Sequence, residues 1–163
     1  MHGSTKVAVV AVLSISFWNV AGLAALTTIP YTPPAAATPD ERGWEAYEDA
    51  PVVDAATAKS INPTMDTPEG AVVRFLASRV RGDGEWKGAM VADPSDRTMR
   101  QLQQWEEWTL ESFQLRARKA KDDGTAWIRV YFEISFNGRS DEGEDEFEVM
   151  REGDEWRVVS PPA

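Results

Sequence analysis

The stretch that decides the fold runs from Thr125 to Phe136 and reads TAWIRVYFEISF. It alternates without a break. Ala126, Ile128, Val130, Phe132, Ile134 and Phe136 share one parity; Trp127, Arg129, Tyr131, Glu133 and Ser135 share the other. Successive side chains of a strand point to opposite faces, so this period predicts an antiparallel strand with one packed and one wet face. The turn signals Asp122-Asp123-Gly124, Asn137-Gly138 and Glu152-Gly153-Asp154 cut the chain after Thr109 into four such strands, and short turns between them predict an antiparallel meander. On the packed face Phe113, Leu115 and Ala117 come from the first strand, Phe147 and Val149 from the third, and Trp156 and Val158 from the fourth. On the wet face Arg116, Arg118 and Arg129 meet Glu144, Glu146 and Glu148, a ladder of exposed and individually weak charge pairs.

Upstream the period is helical. Thr67-Pro68-Glu69 combines a capping hydroxyl, a proline suited to the first helical position and an acid at the positive end of the helix dipole. Val72, Val73, Phe75, Leu76 and Val80 then recur at helical spacing until Gly82-Asp83-Gly84. A short second helix is expected over Trp86–Val91, stopped by Asp93-Pro94. A third is expected from Ser95 to Trp108, with Met99, Leu102, Trp105 and Trp108 on one side. The fold class is therefore α+β: three helices packed on a four-stranded antiparallel sheet within residues 67–163.

The segment TPEGAVVRFLASRVRGDGEWKGAM with the closing hairpin EFEVMREGDEWRVVS resembles the nuclear-transport-factor-two-like superfamily, and in particular its exported bacterial domains of unknown function. The likeness rests on Pro68-Glu69, Gly82-Asp83 and Gly153-Asp154-Glu155-Trp156-Arg157-Val158. It implies a sheet curved around the first helix into a cone open at one end. Some members carry acids, histidines and tyrosines inside that cone, and many use the outer sheet face as a dimer interface. The resemblance thus places Trp127, Arg129, Tyr131 and Glu133 on a candidate interface, for a second copy or for another envelope protein.

Counting residues excludes much chemistry. The chain has no cysteine and its one histidine is His2, so Ser-His-Asp triads, Cys-His pairs, thiolate or histidine metal sites and disulfides are ruled out. The acids Asp93, Asp96, Glu106, Glu107 and Glu111 would serve as general acids or bases only if buried. The run Asp141-Glu142-Gly143-Glu144-Asp145-Glu146 lacks calcium-loop spacing and reads as a solvated hairpin. No catalytic, cofactor or metal motif stands out. Tryptophan is enriched at seven residues; Trp86, Trp105 and Trp156 would wall a small-ligand site if the cone is open and form its core if it is filled.

The N-terminal part concerns address. Val7 to Leu26 are twenty residues without a charge, preceded by Lys6, long enough to span a bilayer as a helix with the N-terminus inside. This is read as a membrane anchor carrying the domain outside the cytoplasm; cleavage near Ala24 or Ala37 would instead release it to the periplasm or medium. Residues 27–66 are rich in Pro, Ala, Thr and acids and read as a linker, with Trp44 and Tyr47 available to dock on the domain. A formal net charge of -10 disfavours nucleic acid and favours a neutral or cationic partner. The resulting expectation is a non-enzymatic envelope domain acting through protein contact. The alternatives are a small-ligand binder using the aromatic cone and, behind it, a carboxylate-based isomerase, dehydratase or hydrolase.

Overall fold

The structure, a computed structural model, describes residues 28–121 and 124–160; the expected anchor over 7–26 lies outside them. The elements in chain order are β1 (Ile29–Pro30), β2 (Glu45–Ala46), α1 (Ala55–Ser60), β3 (Ile61–Asn62), α2 (Pro68–Arg81), a 3-10 turn (Glu85–Ala89), α3 (Asp96–Glu106), β4 (Thr109–Ala120), β5 (Thr125–Phe136), β6 (Arg139–Glu152) and β7 (Glu155–Ser160). The class is α+β as expected. Among the described residues no helix is long and apolar enough to cross a membrane.

The main sheet has five antiparallel strands in the order β2-β4-β5-β6-β7, not four. The four-strand meander is present, and the extra edge strand comes from the stretch whose composition reads as linker. Glu45 and Ala46 pair with Arg118 and Ala117, and Val53 exchanges two backbone hydrogen bonds with Phe113 at 2.8 and 3.1 Å. Val53, Ala58 and Met65 belong to the core, and β1 and β3 form a separate parallel pair. Proline and alanine hid this segment because it adds edge pairing in short pieces, which leaves no period to read.

Helix α2 forms for the reasons its sequence gives. Thr67 Oγ1 accepts from the Gly70 amide at 3.0 Å, Pro68 opens the helix, and Gly82 closes it at φ +67°. Gly70 must be glycine, because a Cβ there would lie 2.0 Å from the Thr64 carbonyl oxygen. The apolar face of α2 places Val72, Val73, Phe75 and Leu76, all buried, against the four long strands. The expected second helix is only a 3-10 turn. Gly84 and Gly88 flank Trp86, whose ring meets Phe75 edge-on at 5.7 Å, and the chain then joins β7 through a Val91 amide bond to the Val158 carbonyl at 3.0 Å. Between β5 and β6, Asn137 and Gly138 both adopt positive φ, 50° and 75°, the demand of a two-residue hairpin turn.

Strand β4 departs from simple alternation twice. The register skips one residue between Leu110 and Ser112 and again between Leu115 and Ala117, so each bulge reverses the facing of the residues beyond it. Ala117, though buried, consequently stands opposite Arg129 and apart from the main apolar cluster, and Arg118 stands opposite inward-facing Ile128. The expected charge ladder is therefore incomplete. Arg129 pairs with Glu146 at 2.9 Å and Glu144 at 3.8 Å, but Arg118 bonds Glu45 at 2.5 Å and Glu69 at 3.2 Å, and Arg116 lies over the Tyr131 ring.

Candidate functional site

Most of the space between α2 and the sheet is filled. Phe75, Phe113, Phe147, Leu76 and Ile128 are fully buried, and Phe75 meets both Trp86 and Phe147 at ring distance. The filling stops where α3 ends over β4 and β5. There a cavity of about 150 Å³ remains, walled by Trp105, Trp108, Leu110, Phe132 and Ile134, with Arg79, Gln104 and Asp145 among its polar lining. Each wall has a local cause. The first bulge of β4 keeps Leu110 inward beside Ile134, its cross-strand partner. Phe132 lies across Gly143, where even one methyl would come within 3.1 Å of the ring, and tilts against Trp105 at 5.9 Å. Arg79 reaches from α2 to the end of α3, where its Nη2 donates to the Trp105 and Trp108 carbonyls. The Trp105 carbonyl also accepts from the Trp108 amide at 3.2 Å, so Arg79 braces the turn that closes α3.

The guanidinium of Arg79 is held below its ordinary pKa by burial, partly offset by Glu106. Its Nε is buried without a partner among the described residues. The rim is apolar on one side: Trp108 is 45% exposed, Phe136 is 42% exposed, and their rings lie 6.3 Å apart. A separate open depression of about 430 Å³ is lined by Ile134 and by Glu111, Glu133, Asp141, Glu142 and Ser140, of which Glu133 and Glu142 face the outer side of the sheet.

Of the three tryptophans expected to wall a ligand site if the cone is open, Trp105 lines this cavity and the other two do not. Trp86 is buried against Phe75, with Arg79 and Lys87 over its ring, and Trp156 packs at the β7 edge, where its amide bonds the Met65 carbonyl at 2.7 Å. Sequence reasoning missed Trp108, Phe132 and Arg79 as lining. The apolar Leu110 and Phe113, three apart within a strand, are the available signal of the bulge that assembles this end. The expected acids do not converge: Asp93, Asp96, Glu106, Glu107 and Glu111 are all exposed.

The buried acid is Glu69, at 2% exposure, accepting from the Tyr47 hydroxyl at 2.8 Å and Arg118 Nη1 at 3.2 Å. Burial, then the Glu69 charge, pushes the Tyr47 and Tyr31 phenols well above their ordinary values, and the hydrogen bond to Glu69 adds to the effect at Tyr47. Hydrogen bonding to Glu45, then to Glu69, raises Arg118 further. This cluster has all its partners within the protein and ties residues 31–47 to α2; it is a structural clasp.

On the outer sheet face the four expected interface residues share one surface. Trp127 lies under Lys121 Nζ at 4.7 Å, and Arg129 stacks on Trp44 at 4.1 Å. Tyr131 donates to Glu142 at 2.5 Å, a bond that raises its phenol pKa, and Glu133 accepts from Ser112 at 2.9 Å. Trp44, from the stretch ahead of the domain, thus covers part of the face. Among the described residues no group of acids is placed to hold a metal ion. No family model, no curated protein and no solved structure matches the chain.

Proposed function

We propose that the chain is an exported, membrane-tethered domain of nuclear-transport-factor-two-like type that works in the bacterial envelope by gripping another protein, without catalysis. One observation carries this reading. Among the described residues the layer between α2 and the sheet is packed with its own apolar side chains, and a void remains at the end of α3 whose volume, about 150 Å³, matches a single benzene-sized group and falls below the range of roughly 300–1,000 Å³ usual for small-molecule pockets. A socket of that size beside exposed Trp108 and Phe136 suits one anchoring side chain of a partner, the arrangement that dominates contact energies at protein interfaces. The export half of the reading rests on the uncharged run Val7–Leu26 after Lys6.

The test places a photo-crosslinking amino acid at Phe136 in the native host, with and without Leu110→Trp to fill the void. A discrete adduct with another protein that disappears in the filled variant, while thermal unfolding shows the domain still folded, is the expected result. An adduct indifferent to the filled void refutes the socket. A C-terminal alkaline phosphatase fusion checks the address, since that enzyme becomes active only outside the cytoplasm.

A further inference from the structure

The described chain begins beside a basic spot on the helix side of the domain. We infer that this spot is a seat for anionic phospholipid headgroups, which holds the domain helix side down on the membrane and turns the outer sheet face away from it. This rests on the reading of Val7–Leu26 as a membrane anchor and adds the face that the anchored domain presents to the bilayer.

The first part of the argument is reach. The uncharged run ends at Leu26 and Thr28 follows two residues later, a span of at most about 7 Å. Each headgroup layer is roughly 5–8 Å deep, given a hydrocarbon core of about 30 Å in a bilayer of about 40–45 Å. What surrounds Thr28 therefore lies at headgroup level. Thr28 borders a depression of about 290 Å³ lined also by Lys59 of α1, Asn62 of β3, Arg74 and Arg81 of α2, and Glu85. Beside it Ile29 is 61% exposed, an apolar side chain suited to the boundary between headgroups and acyl chains.

The second part is charge. Arg74 and Arg81, seven positions apart, share one side of α2, whereas Val72, Val73, Phe75 and Leu76 pack against the strands. Arg81 is committed, since it pairs with Asp83 and donates to the Ala58 carbonyl at 2.9 Å. Lys59 and Arg74 have no ion-pair partner among the described residues. Glu85 is the one carboxylate in the lining and pairs with neither of them, so two uncommitted cations face one acid. On a chain of net charge -10 that sign is local. Glu142, Glu144, Glu146 and Glu148 stand opposite Glu133, Tyr131, Arg129 and Trp127 on the outer sheet face. A bilayer containing anionic lipid attracts the basic spot and repels that acidic face, and both forces turn the domain the same way.

The chain has no cysteine, so Asn62→Cys or Glu144→Cys carries a bimane fluorophore at one chosen place. The full chain is reconstituted into phosphatidylcholine vesicles with or without about 30 per cent phosphatidylglycerol, all containing phosphatidylcholine with a nitroxide on its headgroup as quencher. Quenching at position 62 should be at least about twofold stronger with phosphatidylglycerol and fall back at about 0.5 M salt. Position 144 should be quenched weakly in both. Lys59→Gln with Arg74→Gln should erase the gain at position 62 without changing thermal unfolding, Lys59→Arg with Arg74→Lys should keep it, and Glu85→Gln should enlarge it.

Equal quenching at position 62 in the two kinds of vesicle overturns the proposal, as does stronger quenching at 144 than at 62 or a double glutamine variant that behaves like the parent. Inorganic phosphate at about 10 mM that removes the gain at constant ionic strength makes a free anion the occupant and overturns the lipid assignment. A chain that floats with the vesicles but shows no gain leaves the anchor standing and removes only the headgroup seat. A chain that does not float with them refutes the anchor, and the seat falls with it.

Discussion

The deep and open ends of the layer between α2 and the sheet are built from the same kinds of residue and behave as opposites. At the deep end Phe75 meets both Trp86 and Phe147, and these rings and Phe113 are buried. At the open end Trp105 and Phe132, and Trp108 and Phe136, also meet in pairs, yet the first three border a void and Trp108 and Phe136 face solvent. Interiors pack to crystal-like density, so a gap left among rings forfeits dispersion contacts. The folded state accepts that loss at one end only. Aromatic content therefore does not separate core from site here; completeness of packing does.

The largest expected effect breaks the deep end. Phe75→Ala should lower unfolding free energy by about 3–5 kcal/mol, the usual cost of a large buried truncation with a residual cavity. Trp108→Ala, removing a larger but 45% exposed ring, should cost well under half as much. Urea unfolding of both variants measures the contrast directly. Similar losses at the two positions would mean that the open end is core after all and would remove the reason to regard it as a site.

How much of this contrast the sequence reveals depends on the range of the interactions. The caps of α2, the Asn137-Gly138 turn and the alternation of Thr125–Phe136 are local, and each appears in the structure where local chemistry puts it. Of the two bulges of β4, Leu110 and Phe113 falling out of phase mark the first; the second has no such mark, and it is the one that moves Arg118 from the wet face to Glu69. The clasp itself joins Tyr47 to Glu69 across twenty-two positions, a pairing that no periodicity encodes. For the candidate site, Trp105 is legible as a wall residue because it sits on the apolar side of α3. Phe132 is legible only as core, since its role depends on the bare backbone of Gly143 in the neighbouring strand.

The clasp yields the next effect in size and shows how the N-terminal segment supports the deep end. Tyr47→Phe removes a donor from a buried carboxylate that keeps Arg118, and should cost about 1–2 kcal/mol. The phenol's pKa is raised in the folded protein by burial and by Glu69, so its contribution to stability is complete below the unfolded phenol value of about 10 and declines as pH rises beyond it. Tyr31 shifts in the same direction. Unfolding midpoints measured from about pH 8 to 11 should therefore fall more steeply above roughly pH 10 in the parent than in Tyr47→Phe. Parallel curves would show that folding does not raise this phenol's pKa.

The smallest effect sharpens the boundary between the two ends. Gly143 has an ordinary strand conformation, so alanine there gains roughly 0.5–1 kcal/mol of backbone preference, but the new methyl meets two Phe132 ring carbons at 3.1 Å. In a tightly packed core such a clash would cost about 1–3 kcal/mol. Here the ring borders a void of about 150 Å³ and can swing into it, so Gly143→Ala should leave global stability within about 1 kcal/mol of the parent, the sum of opposed small terms. What changes is the socket. A displaced Phe132 shifts its ring current on Trp105, visible in the indole N–H resonance, and takes up the volume an incoming side chain would use. Stability unchanged with the Trp105 signal moved identifies the void as adjustable space held open by a missing Cβ. A loss of several kcal/mol would show that the open end is packed as rigidly as the deep one.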